Sequence, residues 1–262
     1  MLLKFDETDI QNWASFSGDY NPLHFDEAFA HFAGLDTVSI HGMALMLPLK
    51  HYVSQRLRNW RHGAVWNARM YRPVLTKSEM YISHSEMNEK IYFSLRNNAD
   101  CARDICGSLS KIEFKNKFFM RNNLNVIIPS SFIDKKKREF IKIYPSITSS
   151  WIFLESLVFS EVLGLLDQCT QSQEVSLTRY TRKLNTNKLH MHVTHVVELS
   201  DSIIRSSSDI TFDHVQFNIQ CLDKYSSNIG DYSSYKLHVF LNKTHIFNVK
   251  FSLLSKAVSA VK

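Results

Sequence analysis

Two stretches of this 262-residue chain are apolar on nearly every side, and each fits only a helix buried in a core. The first opens at Gly42 and carries Met43, Leu45, Met46, Leu47, Leu49, Tyr52 and Val53; the second runs from Trp151-Ile152-Phe153-Leu154 to Leu166, capped by Ser149 or Ser150. Around both lie segments of β-branched and aromatic residues in period-two alternation, which predict strands. In the first half these are expected at 64–71, 79–86, 89–97 and 104–114, bounded by Asn88-Glu89 and by Asn97-Asn98-Ala99-Asp100. In the second they are expected near 124–128 and 138–144 before the helix, and near 174–184, 188–199, 209–221, 233–241 and 245–254 after it. A buried helix with its own strands, occurring twice, predicts an antiparallel α+β fold whose halves meet at about residues 116–125.

The first 60 residues hold further helical signals. Ile10, Trp13 and Ala14 follow i, i+3, i+4 spacing behind Asp6-Glu7-Thr8-Asp9, an acidic first turn that suits the helix dipole. A short helix is expected from Asp26 as N-cap, through Ala28, Phe29, Ala30 and Phe32, to a stop at Gly34. Pro48 should kink the buried helix or move its start.

Composition removes several classes of function. Apolar residues make up 44% and charged residues 21%, enough for a globular core. The N-terminus turns acidic after five residues and no run of about 18 apolar residues follows, so no secretion signal or membrane span is expected, and the cytoplasm is the default compartment. Seven glycines assemble neither GxGxxG nor GxxxxGK[ST]. Four cysteines form no CxxC pair, and Cys101 and Cys106 read as ordinary strand or loop residues. A net charge of +6 permits an anionic partner, but no nucleic-acid motif accompanies it, and Lys135-Lys136-Lys137-Arg138 reads as a solvated loop. On a regular strand His190 and His192 would share one face and His195 the other, which predicts a surface strand rather than a metal cluster.

The chemistry-bearing stretch is Ser17-Gly18-Asp19-Tyr20-Asn21-Pro22-Leu23-His24-Phe25-Asp26, followed by Ala30, Gly34 and His41-Gly42-Met43. Asp19 and His24 flank Asn21-Pro22, a turn-forming pair that can fold both side chains toward one point. A carboxylate and an imidazole there could grip one water and exchange its protons. Gly42 opens the buried helix, where unpaired backbone N–H groups and the positive dipole end can hold a developing oxyanion. This pattern, S-G-D-x-N-P-x-H-x-D, then A-x-x-x-G, then H-G-M, resembles the signature of the MaoC-like (R)-specific enoyl-thioester hydratases and dehydratases of the hot-dog fold.

The resemblance implies a catalytic dyad of Asp19 and His24, an oxyanion hole at Gly42, and supporting roles for Asn21 as a turn brace, Asp26 as a helix cap and His41 as a packing residue. It implies a hydro-lyase that dehydrates (3R)-3-hydroxyacyl thioesters or hydrates trans-2-enoyl thioesters, with no cofactor and no metal. Its substrate would ride on acyl carrier protein or coenzyme A; no nucleic acid or membrane partner is implied. No second D-x-N-P-x-H follows residue 116, so the chain resembles a double hot-dog. In that fold two antiparallel sheets each wrap a central helix as a pseudodimer, here as a motif-bearing half at 1–120 and a degenerate half at 121–262. A homodimer of the whole chain is left open. The rivals are a non-catalytic acyl- or carrier-binding module and a hot-dog thioesterase. Three departures from the family stand out: Leu75-Thr76-Lys77-Ser78-Glu79 replaces a Gly-Asp turn after Arg72-Pro73-Val74, Pro48 lies within the central helix, where it could reshape the acyl tunnel, and Lys50 stands where some relatives place a small polar residue near the substrate, so a different pocket entrance is expected.

Overall fold

A computed structural model describes residues 1–60, 62–97, 103–116, 124–166, 188–206 and 212–257. The first half runs β1 (Leu2–Phe5), α1 (Glu7–Ser17), a 3₁₀ turn (Pro22–His24), α2 (Glu27–Phe32), α3 (Gly42–Ser54), β2 (Gly63–Met70), β3 (Ser78–Met87), β4 (Lys90–Asn97) and β5 (Arg103–Ile112). The second runs β6 (Leu124–Pro129), α4 (Ser130–Ile143), α5 (Ser150–Leu165), β7 (Lys188–Leu199), α6 (Asp201–Ile204), β8 (His214–Ser227), β9 (Gly230–Leu241) and β10 (Thr244–Ala257). Local chemistry sets the boundaries. Asp6 and Asp9 cap α1 reciprocally, and Gly18 ends it in the left-handed region at φ 75°. The β3–β4 and β9–β10 hairpins turn on Asn88-Glu89 and Asn242-Lys243, all four at positive φ, as tight hairpins of this twist require.

All ten strands join one antiparallel sheet in the order β1-β3-β4-β5-β2-β7-β10-β9-β8-β6. Read outward from the middle, both halves repeat one pattern: second strand, fifth, fourth, third, first. The two expected sheets are therefore two five-stranded halves fused edge to edge. Their seam is β2 against β7, from Ala64 opposite Leu199 to Arg69 opposite Thr194. Inside the curve α3 and α5 pack on each other, and both are buried along almost their whole length. Trp66, Trp151, Leu154, Leu157, Val197, Val249 and Phe251 fill the space between sheet and helices.

Several expectations fail for identifiable reasons. β1 lies within a region read as wholly helical; its four residues are too few to display alternation, yet they pair with Ser78–Tyr81. Residues 138–143 belong to α4 and not to a strand, with Tyr144 as the C-cap, and the same helix absorbs Lys135-Lys136-Lys137-Arg138, read as a loop. Ile133 and Phe140, two turns apart, bury one face of α4, while Lys136 donates to the carbonyl of Phe16 at 2.6 Å. Pro48 sits inside α3 and does not move its start, which stays at Gly42. Lys50 does not border an entrance: it is fully buried against Glu155. The expected strand at 174–184, the start of the one at 209–221, and most of the boundary at 116–125 lie outside the described residues. Among the described residues no helix is long and apolar enough to cross a membrane.

Candidate active site

The loop between α1 and α2 is held by its own short polar residues. Asn21 Oδ1 accepts from the Leu23 N–H, which fixes the 3₁₀ turn with Pro22 in its first position. The other end of the Asn21 amide, Nδ2, donates to the His190 carbonyl of β7 at 3.3 Å, tying this loop to the second half of the chain. Asp26 stands apart from the site: it is exposed and caps α2 by accepting from the Phe29 N–H.

Asp19, His24 and His41 do meet. One ligand-type atom from each lies within 4.8 Å of the others, a spacing that also suits a single divalent cation. His24 Nδ1 lies 2.7 Å from the Ser39 carbonyl oxygen, which can only accept, so Nδ1 carries the proton and Nε2 keeps its lone pair. By the same argument His41 Nε2 donates to the Asp19 carbonyl at 2.9 Å. His41 is also the N-cap of α3, and its ring stacks on that of His24, centroids 3.7 Å apart. Burial, then the neighbouring His41, push His24 down to about 3, against the pull of Asp19 and the Ser39 carbonyl. Burial likewise pushes His41 down to about 3. Asp19 moves the other way: burial raises its carboxyl, opposed by His24, the Asn21 N–H and His190. A neutral imidazole with a free lone pair thus stands beside a carboxyl whose proton affinity is increased.

Gly42 follows at the first turn of α3, beside a cavity of about 320 Å³ whose wall includes Leu23, Ile40, Gly42, Met70 and His192. That volume is at the low end for ligand pockets, which run from about 300 to 1,000 Å³. A Cβ on Gly42 would come within 2.8 Å of Met70 Sδ and 3.4 Å of His192 Cβ, so glycine keeps this part of the wall open. The first N–H groups of α3 have no intrahelical acceptor.

His192 and its neighbours on β7 correct the expectation of a surface strand. Ser252 pairs with Thr194 but the next residue, Leu253, pairs with His192, so Val193 is an extra residue in a bulge. The bulge shifts the alternation by one and turns His190, His192 and His195 to the same inner face. His195 is fully buried, and His192 Nε2 lies 3.2 Å from His195 Nδ1. His190 lies close enough to Asp19 to stabilise its charged form. None of these three was a site candidate from sequence; the signal was Leu-His-Met-His-Val-Thr-His, disguised by an irregularity that period-two reasoning does not contain.

Sheet, paired central helices and one motif-bearing loop define a double hot-dog, and comparison with known proteins agrees. Residues 2–99 match the family model described as MaoC like domain. The whole chain is similar in fold to a MaoC-like dehydratase, at 10% identity over 98% of this chain and 96% of that one, TM-score 0.51. A conserved hypothetical protein from Mycobacterium tuberculosis, described as having a double hotdog fold, matches at 7% identity over 98% of this chain and 94% of its own, TM-score 0.56. A putative MaoC domain protein dehydratase from Chloroflexus aurantiacus matches at 8% identity over 99% and 94%, TM-score 0.52. No curated protein sequence matches the chain.

Proposed function

We propose that the chain is a hydro-lyase on acyl thioesters, converting (3R)-3-hydroxyacyl thioesters to trans-2-enoyl thioesters or the reverse. The observation that carries this reading is the protonation pattern of His24, whose Nδ1–H is committed to Ser39 while Nε2 remains a base beside the Asp19 carboxyl. In the hydration direction a water held by these two groups attacks C3, and one of them takes its proton. The electrons of the double bond move onto the thioester oxygen, held by backbone N–H groups at Gly42, and a proton then reaches C2. Dehydration retraces this path, the C3 oxygen leaving as water. Asn21 and His41 act as positioning residues, because each fixes the loop that carries Asp19.

The thioester is proposed to be carried by an acyl carrier protein in preference to coenzyme A. Carrier proteins are typically acidic, and a net charge of +6 suits steering between two protein surfaces. On this reading kcat/KM for a carrier-bound 3-hydroxyacyl substrate exceeds that for the coenzyme A thioester and falls between about 50 and 200 mM salt as screening increases. A crotonyl-thioester assay tests the reaction class: hydration removes the conjugated enoyl absorbance without releasing thiol. Thiol release would favour a thioesterase, and neither signal would favour a non-catalytic binding module.

A further inference from the structure

Behind the cavity wall lies a buried polar chain that the reaction above does not use. Lys50 Nζ on α3 is 2.6 Å from Glu155 Oε2 on α5, and Glu155 Oε1 is 2.6 Å from His195 Nε2 on β7; all three side chains are 0% exposed. Such a cluster is poor value as a stabilising device, since each buried ion costs several kcal/mol of desolvation that a well-packed apolar set would avoid. What it does supply is polarity with a direction. Burial alone would raise the Glu155 carboxyl, but Lys50 and His195 hold it below its ordinary value, so it is ionised and accepts.

An ionised Glu155 fixes every proton after it. At 2.6 Å from the ionised carboxylate a bare Nε2 lone pair would be repelled, so His195 Nε2 carries the proton although its N–H is not well aligned on Oε1, and His195 Nδ1 is left as an acceptor 3.2 Å from His192 Nε2. His192 Nε2 therefore carries a proton, shared between His195 Nδ1 and the Thr194 carbonyl at 3.1 Å. His192 Nδ1 is then left with a lone pair, and no hydrogen bond occupies it among the described residues. Phe159 stacks on the His192 ring at 5.2 Å and 10°, and Phe251 meets it edge-on, so the ring cannot easily turn. Nδ1 lies 3.7 Å from where a Gly42 Cβ would stand, on the cavity wall. Burial, His195 and Lys50 all keep the ring neutral.

We propose that His192 Nδ1 is a fixed hydrogen-bond acceptor in the acyl cavity that receives the O–H of the substrate's 3-hydroxyl group, with Lys50, Glu155 and His195 as positioning residues that set its tautomer. This rests on the hydro-lyase reading and deepens it. The departing oxygen would direct its own hydrogen to His192 and receive the second from the Asp19–His24 pair, leaving as water. In the hydration direction the same bond would orient the attacking lone pair toward C3.

The test uses the full chain in a His24→Ala background, so that ligands bind without turnover, with 3-hydroxybutyryl-pantetheine and butyryl-pantetheine as probes. Adding His192→Phe should weaken the hydroxylated ligand about five- to tenfold, the range of one hydrogen bond, and change the other less than about twofold. His192→Gln, which keeps an acceptor, should retain part of the preference and guards against misfolding of the Phe variant. Nitrogen NMR of the wild-type imidazoles should find His192 protonated at Nε2 and bare at Nδ1 near neutral pH; Lys50→Met with Glu155→Leu should give a tautomer mixture. Equal weakening of both ligands, or a proton on Nδ1, overturns this inference alone. Binding of neither ligand to the His24→Ala chain, together with an inert wild type in the crotonyl assay, overturns the hydro-lyase reading and this inference with it.

Discussion

The rings of His24 and His41 lie face against face, centroids 3.7 Å apart with 30° between their planes, and both are buried. Two imidazolium ions could not occupy this arrangement, and burial keeps both rings neutral. Their folded values near 3 lie below the ordinary value of 6.5. The stability linked to them is therefore present above about pH 6.5 and is lost as pH falls toward 3, because the unfolded chain binds the protons. Asp19, raised by burial, contributes with the opposite sign. His41→Phe should reduce the pH slope of unfolding free energy between pH 6 and 4 by about one proton, about 1.4 kcal/mol per pH unit. Urea unfolding across that range measures it; an unchanged slope would mean that His41 does not fold as a neutral ring.

Asp19→Asn and His24→Ala should each lower turnover at least about a hundredfold, the low end for a positioned acid or base. His24→Ala also strips the Ser39 carbonyl of its donor, at about 1–3 kcal/mol of stability, so rates must be compared on protein shown to be folded. Near-wild-type rates in either variant would remove the dyad.

Breaking the Lys50–Glu155 pair from one side leaves an uncompensated buried charge. Glu155→Leu or Lys50→Met alone should destabilise by about 3–5 kcal/mol, whereas the double substitution should recover most of that loss. Denaturation midpoints of the three variants decide it. Additive losses would show that the two side chains are not coupled.

The parts of this molecule that were legible in the sequence are those whose requirements are local. The turn at Asn21-Pro22, the cap at Asp26 and the glycine at 42 each announce themselves within a few residues. The two central helices are also legible, because continuous apolarity over three turns has few other uses. What escaped depends on distance or irregularity. Lys50 and Glu155 are 105 positions apart, and nothing near either residue declares the other. The inner face of His192 and His195 depends on one bulged residue, Val193. In α4 the alternation of Ile141, Lys142 and Ile143 imitated a strand, while the seven-residue step from Ile133 to Phe140 marks the helical face.

Gly42→Ala places a methyl group 2.8 Å from Met70 Sδ, near the movable end of that side chain. Met70 can yield, so thermal stability should change little. The displaced thioether would intrude on the cavity beside Gly42, the proposed thioester site, and turnover should fall. Met70→Ala added to Gly42→Ala should restore part of the rate; no rescue would mean that the lost group is the free backbone approach itself.

Residues 1–120 alone should be insoluble or forced to associate. Removing the second half strips β2 of its β7 partner from Ala64 to Arg69 and uncovers the inner face of α3. It also leaves Lys50 without Glu155. Gel filtration of the fragment tests this, and a soluble, active monomer would show that the halves are independent.

At the seam Ala68 faces His195, and Arg69 faces Thr194. Two identical strands meeting about a twofold axis would have to repeat each such pair in reverse on the other side of the axis, since every change on one strand would appear on its copy. A chain that carries both strands itself is released from that mirror. One half can carry the motif-bearing loop while the other lacks it and serves as a wall, and the two can differ in sequence as long as they fit together. The asymmetry of β2 and β7 is thus a freedom that comes with holding both strands in one chain.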